Sequence, residues 1–371
     1  MASIGIVFGT RPEAIKLAPV VKAFQDSSWE TRIIVTGQHR EMLDQVLDIF
    51  RIVPDYDLDV MSPGQSLSDI TNAVLRGMDQ ILSQTPLDYL LVHGDTTSAL
   101  AAALAGYYHR IPVGHVEAGL RTGNMYHPFP EEVNRKLVDH ISSLLFAPTE
   151  KAAENLRREG FPDDRIFVTG NTVVDALRMV VKPKYQFRNP LLSRLTFQRP
   201  VVVVTAHRRE NWGGPMADIC KATAQAAAEL PLDFVFSMHK NPELQAVVKQ
   251  HLGGFANVHL IEAISYDDFI NLLNRCYFIV TDSGGLQEEG AALGKPVLVM
   301  REFTERPEAL EAGFVRLVGT DQDRIRAAIV ELANDQTRYT EMADGENPYG
   351  DGRAAARIRQ IMTEYDKQKP E

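Results

Sequence analysis

Short runs rich in β-branched residues recur along this chain, each followed by a longer stretch with helical spacing, and few folds accommodate that alternation. Strands joined across helices pair in parallel, so the pattern predicts doubly wound α/β sheets rather than a sandwich or a bundle. In the first half, strands are expected at 4–8, 32–36, 89–93, 113–116, 144–147 and 166–169. Helices are expected at 14–24, 40–50, 67–83, 97–109, 131–141 and 151–159. The alternation lapses at 182–200, "KPKYQFRNPLLSRLTFQRP", whose prolines and basic residues suit an inter-domain connection. A second series of strands follows, at 201–205, 234–237, 258–260, 278–281, 297–300 and 315–318.

A chain of 371 residues exceeds one typical core. The expected organisation is two Rossmann-like domains with a central cleft, residues 1–181 and 182–352. A C-terminal helix within 353–371 is expected to pack back on the first domain. In such sheets ligands bind beyond the strand C-terminal ends, and polar clusters follow predicted strands in both halves.

A formal net charge of −10 argues against general nucleic-acid affinity, so an anionic ligand needs a local basic site. Two distant cysteines, Cys220 and Cys276, fit neither a disulfide framework nor a metal spacing. No stretch approaches ~20 uninterrupted apolar residues, the length that spans a bilayer. The first residues carry no basic leader or cleavage site, and a cytoplasmic protein is expected. Neither GxGxxG after the first strand nor GxxxxGK[ST] occurs, which leaves a dinucleotide or P-loop site unsupported. No cofactor and no metal are expected.

Several clusters can carry chemistry. In "FGTRPEAIKLAPV", Arg11 and Lys16 lie near a helix start after the first strand, able to meet a diphosphate or simply to be solvated. In "VHGDTTSA", Asp95 follows an apolar strand, as either an acid–base group or a helix N-cap. "HVEAGLRTGNMYHPFPEEVNR" places Glu117 at a strand end and Glu131 at a helix start, where a carboxylate also complements the helix dipole. "VTAHRREN" brings His207 and Arg208 to a strand end, "SMHKNP" does the same for His239, and "MREFTERPEALEAG" supplies Arg306. In "VTDSGGLQEEG", a strand delivers Ser283, Gly284 and Gly285 to a helix start, an anion-binding arrangement. Two glutamates follow at once, Glu288 and Glu289.

Taken together, these stretches resemble the bacterial non-hydrolysing UDP-N-acetylglucosamine 2-epimerases. "FGTRPEAIKLAP", "HGDTTS", "HVEAGLRTGN", "PFPEEVNR", "AHRREN", "TDSGGLQEE" and "GKPVLVMREFTERPEA" match in order over nearly the whole chain. The resemblance implies a fold of the glycosyltransferase-B type, with a UDP-sugar bound between the domains, and a homodimer. It implies Asp95, Glu117 and Glu131 as acid–base carboxylates, with His207 beside them. Arg11, Lys16, His207, Arg208 and His239 would contact substrate, and Ser283, Gly284 and Gly285 its diphosphate. Glu289 would accept from the ribose hydroxyls, Phe269 and Arg306 would shape the site, and Glu288 is left as a surface or dipole residue. Relatives activated by substrate at a second site carry an arginine where this chain has Gly64. Gln38, His39 and Gln65 remain as regulatory candidates, and Gly64 speaks against such activation. Lys240 and His127 also depart from the family pattern.

The implied activity is C2 epimerisation through elimination and readdition of UDP, feeding cell-surface polysaccharide synthesis. The rivals are the same chemistry on a 2,3-diacetamido uronate, a glycosyltransferase, and a UDP-sugar sensor. No stretch identifies an acceptor site for a transferase, and the retained carboxylates argue against a sensor.

Overall fold

The computed structural model describes residues 1–37, 40–62, 64–262, 264–304 and 306–368, without the side chains of 40–42. The chain divides into two compact units. The second runs from Val180 to Pro348; the first comprises what precedes it and resumes at Tyr349.

The first unit is built on β1 (Ser3–Phe8), β2 (Glu30–Val35), β3 (Tyr56–Asp57), β4 (Tyr89–His93), β5 (Val113–Val116), β6 (Leu144–Ala147) and β7 (Ile166–Val168). They form a parallel sheet in the order β3-β2-β1-β4-β5-β6-β7. Every residue of β4, β5 and β6 is buried. That follows from helices covering both faces of a parallel sheet, which makes central strands read as continuous apolar runs. The edge strand β3 was not expected: Tyr56 and Asp57 pair with Ile34 and Val35, too short a segment to show a period. The helix Thr172–Val180 was not expected either, being short and opening on β-branched residues.

Helix starts follow local capping chemistry. Thr10 and Glu13 form a capping box at the helix Arg11–Gln25, with Pro12 in its first turn. Ser66 and Asp69 do the same for Leu67–Gln84. The last helix, Ala354–Lys367, lies against Arg11–Gln25 and buries Ile358 and Met362 fully. Asp175 accepts from the amides of Ala354 and Ala355 at 3.2 and 3.0 Å, fixing where that helix begins.

The second unit contains β8 (Val201–Thr205), β9 (Asp233–Ser237), β10 (Val258–Ile261), β11 (Phe278–Thr281), β12 (Val297–Val299) and β13 (Val315–Leu317). Its order is β10-β9-β8-β11-β12-β13, again all parallel. In both sheets the order reverses beside the first strand, between β1 and β4 and between β8 and β11, the topological switch points where ligands bind.

The stretch 182–200 is more than a connector. The Tyr185 hydroxyl lies 2.8 Å from carboxylate oxygens of both Asp267 and Asp268, and Arg188 and Asn189 donate backbone N–H groups to Asp268. The Arg275 guanidinium lies 5.0 Å from the Phe187 ring centre and 5.6 Å from that of Phe197. The segment is thereby docked on the helix Tyr266–Arg275. Cys220 and Cys276 are buried, and burial pushes both thiols up to about 12. They pack as small hydrophobes. Among the described residues no helix is long and apolar enough to cross a membrane.

Candidate active site

In the first unit the candidate carboxylates lie at the ends of neighbouring strands and at one helix start. Lys16 reaches inward from the helix Arg11–Gln25, and its ammonium pairs with Oε2 of Glu117. Both side chains are 10% exposed, so the pair is held largely out of water. His93, the last residue of β4, places Nε2 3.7 Å from the same carboxylate oxygen. Neither ring nitrogen of His93 has a hydrogen-bond partner among the described residues, although the residue is 4% exposed. Glu117 itself has φ 69°, a left-handed conformation that costs a residue with a Cβ about 1–2 kcal/mol. Such strain tends to be kept where a side chain must be aimed.

Asp95 follows β4 and pairs with Nη2 of Arg135, whose Nη1 is 3.3 Å from Glu132. The Asp95 backbone carbonyl accepts from Asn134 Nδ2 at 2.9 Å. Asp95 is not the helix cap. Thr96 is, its hydroxyl accepting from the Ala99 amide at 3.0 Å and donating to Glu13 at 2.6 Å. The capping alternative for Asp95 is overturned, because the chain places a second capping-type residue one step later.

Glu131 opens the helix Glu131–Ile141, and its buried Oε2 has no hydrogen-bond partner among the described residues. Its neighbour Glu132 is wholly buried and ties down the preceding loop, accepting from the amides of Thr122 and Gly123 at 3.0 and 3.2 Å. Arg11 is partly buried at the first position of its helix.

In the second unit Asp282 organises the cluster. Fully buried after β11, its Oδ2 accepts from the amides of His207 and Arg208 and from Asn211 Nδ2, each at 2.9 Å. Its Oδ1 is 3.0 Å from His207 Nδ1. Burial opposes ionisation of Asp282, but His207, the Arg208 amide and Asn211 outweigh it and hold the carboxyl below the usual range. Nδ1 is turned to Asp282, and the His207 side chain is 47% exposed.

Ser283, Gly284 and Gly285 start the helix Gly284–Ala292. Neither glycine has positive φ. A Cβ on Gly284 would meet only Arg208 Nη2, at 3.7 Å, and one on Gly285 would meet nothing within 4 Å. The protein itself therefore does not demand glycine there; the missing side chains leave the first helical amides open to a close-approaching anion.

Glu289 accepts from the Tyr266 hydroxyl at 3.3 Å, and Phe269 lies on the same helix as Tyr266, partly buried. Glu288 is not a surface residue: it is 2% exposed and pairs with Arg306 Nε. The helical turn that points Glu289 outward points Glu288 into the unit. His239 accepts the Asn241 amide on Nδ1 at 3.1 Å and lies 6.0 Å, ring to ring, from Trp212. Trp212 in turn approaches the His207 carbonyl at 3.4 Å.

Of the regulatory candidates, Gln65 spends its side chain on Val60 and Ser62, at 2.8 and 2.7 Å. Gln38 and His39 lie outside the described residues. No grouping of His, Cys, Asp and Glu among the described residues could hold a metal ion. Sequence reasoning passed over Asp282, Arg135, Glu132 and Tyr266 as site-building residues. Asp282 carried a local signal as a polar residue ending an apolar strand, although its partners lie over 70 residues away. Arg135 and Tyr266 act through Asp95 and Glu289, distant in sequence, and Glu132 through the loop before its helix.

Residues 22–363 match the family model described as UDP-N-acetylglucosamine 2-epimerase. A UDP-N-acetylglucosamine 2-epimerase of Salmonella typhimurium is 52% identical over 368 residues, 97% of this chain and 98% of that protein. The crystal structure of the UDP-GlcNAc 2-epimerase from Neisseria meningitidis bound to UDP-GlcNAc superposes with a TM-score of 0.90 at 44% identity. The match covers 98% of this chain and 100% of that one. The Methanocaldococcus jannaschii enzyme in complex with UDP-GlcNAc and UDP gives 0.81 at 34% identity, covering 98% and 99%. With its paired parallel-sheet units of glycosyltransferase-B type, this chain belongs to the UDP-N-acetylglucosamine 2-epimerase family.

Proposed function

We propose that this chain interconverts UDP-N-acetylglucosamine and UDP-N-acetylmannosamine by inverting C2. The observation that carries the reading is the juxtaposition in the first unit of a buried Lys16–Glu117 pair, His93 with Nε2 3.7 Å from Glu117, and an Arg135-held Asp95, beside a switch point.

The C2 proton has no adjacent carbonyl to acidify it. Breaking the bond from C1 to the diphosphate oxygen supplies the acidity instead, since positive charge develops at C1. A carboxylate takes the C2 proton, the C2–H electron pair becomes the C1–C2 double bond, and the C1–O pair leaves with UDP. The products of this step are 2-acetamidoglucal and UDP. Return of the diphosphate oxygen to C1, with protonation of C2 from the opposite face, gives the epimer. Proton, electron pair and leaving group are all restored, so no redox cofactor enters the balance.

Asp95, Glu117 and Glu131 serve as the acid–base carboxylates of this scheme. Arg11, Lys16, His207 and Arg208 meet the charge of the leaving diphosphate, which the amides at Ser283, Gly284 and Gly285 receive. Glu289 accepts from the ribose hydroxyls, His239 and Phe269 line the substrate, and Arg306, braced by Glu288, shapes the site. On the same reading residues 1–181 carry the acid–base groups and residues 182–352 the nucleotide. The enzyme works as a cytoplasmic homodimer that supplies precursors of cell-surface polysaccharide. Incubation with UDP-N-acetylglucosamine alone, followed by proton NMR, should show the manno epimer; an unchanged spectrum at high enzyme concentration would refute the activity.

A further inference from the structure

The buried His115 has no part in the acid–base scheme, yet it touches every element that carries one of its carboxylates. It sits on β5, two residues before Glu117. Its Nε2 lies 2.8 Å from the carbonyl oxygen of Gly94, the residue before Asp95. Its Nδ1 lies 2.6 Å from Oδ1 of Asp139, on the helix that Glu131 opens. Neither His115 nor Asp139 has exposed surface.

Donor counting fixes the roles. A carbonyl oxygen only accepts, so Nε2 donates to Gly94. Burial opposes ionisation of Asp139, but His115 and Arg121 outweigh it and hold its carboxyl below the usual range. Nδ1 faces the Asp139 carboxylate at hydrogen-bond distance, so both ring nitrogens are engaged. Arg121 closes the charge balance: its Nη2 is 2.7 Å from Asp139, and its Nε and Nη2 are 2.8 and 2.6 Å from Glu159. Gly94 is bound on both sides of its turn, since its amide donates to the Val116 carbonyl at 3.0 Å. At φ 65° it takes a conformation that glycine adopts freely.

We propose that His115 is a positioning residue for the acid–base carboxylates: one imidazole, hydrogen-bonded through both nitrogens, ties the Asp95 turn, the Glu117 strand and the Glu131 helix into one frame. The inference rests on the acid–base reading above. Its consequence is kinetic, because displacing catalytic groups by about 1 Å can cost about 100-fold in rate.

The test compares His115→Gln with the wild-type full chain. Expected are an unchanged UDP binding stoichiometry by calorimetry, a little-changed KM and a kcat lower by about 100-fold. A merely structural role would instead lower the melting temperature with kcat per folded chain unchanged, and that outcome overturns the proposal. A folded His115→Gln protein with wild-type kcat would overturn the proposal. If that variant does not fold, long-range ¹⁵N spectra of the wild-type ring decide. Both nitrogens are expected at hydrogen-bonded shifts, and a ring nitrogen with the shift of an unbonded imidazole nitrogen overturns the frame. Should the wild-type chain make no epimer, the activity reading fails by itself, while the nitrogen spectrum still decides how His115 is held.

Discussion

Lys16 and Glu117 meet as a nearly dry ion pair, joining the first helix of the chain to the end of β5, where Glu117 takes left-handed backbone geometry. Removing one partner of such a pair is costly, about 3–5 kcal/mol, because the other charge stays buried. Lys16→Met should therefore lower the urea midpoint strongly. Lys16→Met combined with Glu117→Gln should recover much of the loss. Equal stability of the single and double variants would show that the pair is solvated in solution.

Thr96, not Asp95, caps its helix, which separates two effects that share one turn. Thr96→Ala should cost about 1 kcal/mol of stability while leaving the carboxylate chemistry in place. Asp95→Asn leaves Arg135 its pair with Glu132, so its midpoint should fall only modestly, but it should turn over about 10²–10⁴ times more slowly, the usual worth of a general acid or base. A fully active Asp95→Asn protein would remove that residue from the mechanism.

The adjacent glutamates after the glycine turn should fail in different assays. Glu289→Ala should weaken UDP binding by about 1.5–3 kcal/mol, the worth of a hydrogen bond to a charged group. Glu288→Ala removes the buried carboxylate that braces Arg306, so thermal stability should fall. Calorimetry and a melting curve on each variant check the pairing, and identical profiles would sink the assignment of Glu289 to the ribose.

How much of this was legible beforehand differs between strand ends and what holds them. The run Tyr89–His93 and the turn after Thr281 announce themselves, because apolar continuity stops at a polar residue and period and composition change together. Glu288 and Glu289 have the same composition, and only the rotation of their helix decides which one Arg306 buries. The role of Asp282 depends on Asn211 and His207, over 70 residues away in sequence, so no local pattern encodes it. The stretch 182–200 shows a related limit: prolines and basic residues describe a loop, and only Tyr185 and Arg275 decide that it is docked.

Acid should weaken the protein through Asp139 and Asp282. Both are held below the usual carboxylate range, against the opposing effect of burial. A carboxyl whose folded value lies below its unfolded value, about 3.9 for aspartate, stabilises the fold above that pH. The contribution falls away as pH drops through the folded value. Denaturant midpoints should hold steady from neutrality to about pH 5 and fall below about pH 4. Asp282→Asn should flatten that fall, and an unaltered acid limb would mean that Asp282 is not ionised in the folded state.

The chemistry itself is tested by running turnover in D₂O. In the elimination scheme the C2 proton passes to a carboxylate that exchanges with solvent before readdition. The manno product should then carry deuterium at C2, and recovered substrate should acquire it as the reaction reverses. An epimerase that moved hydride would keep the original hydrogen, so the label separates the two mechanisms without reference to any relative. Glu117→Gln and Glu131→Gln keep side-chain size but remove the basic form, and each should slow turnover by about 10²–10⁴. UDP affinity should change little for Glu131→Gln, because Glu131 is not among the groups assigned to the diphosphate, whereas Glu117→Gln also unpairs the buried Lys16 and should lower stability as well. The labelling pattern also ranks the carboxylates. If proton removal and proton return use different groups, the two variants should alter C2 exchange in recovered substrate and deuterium uptake in product to different extents. Product free of deuterium at C2 would exclude a solvent-exchanging carboxylate as the base.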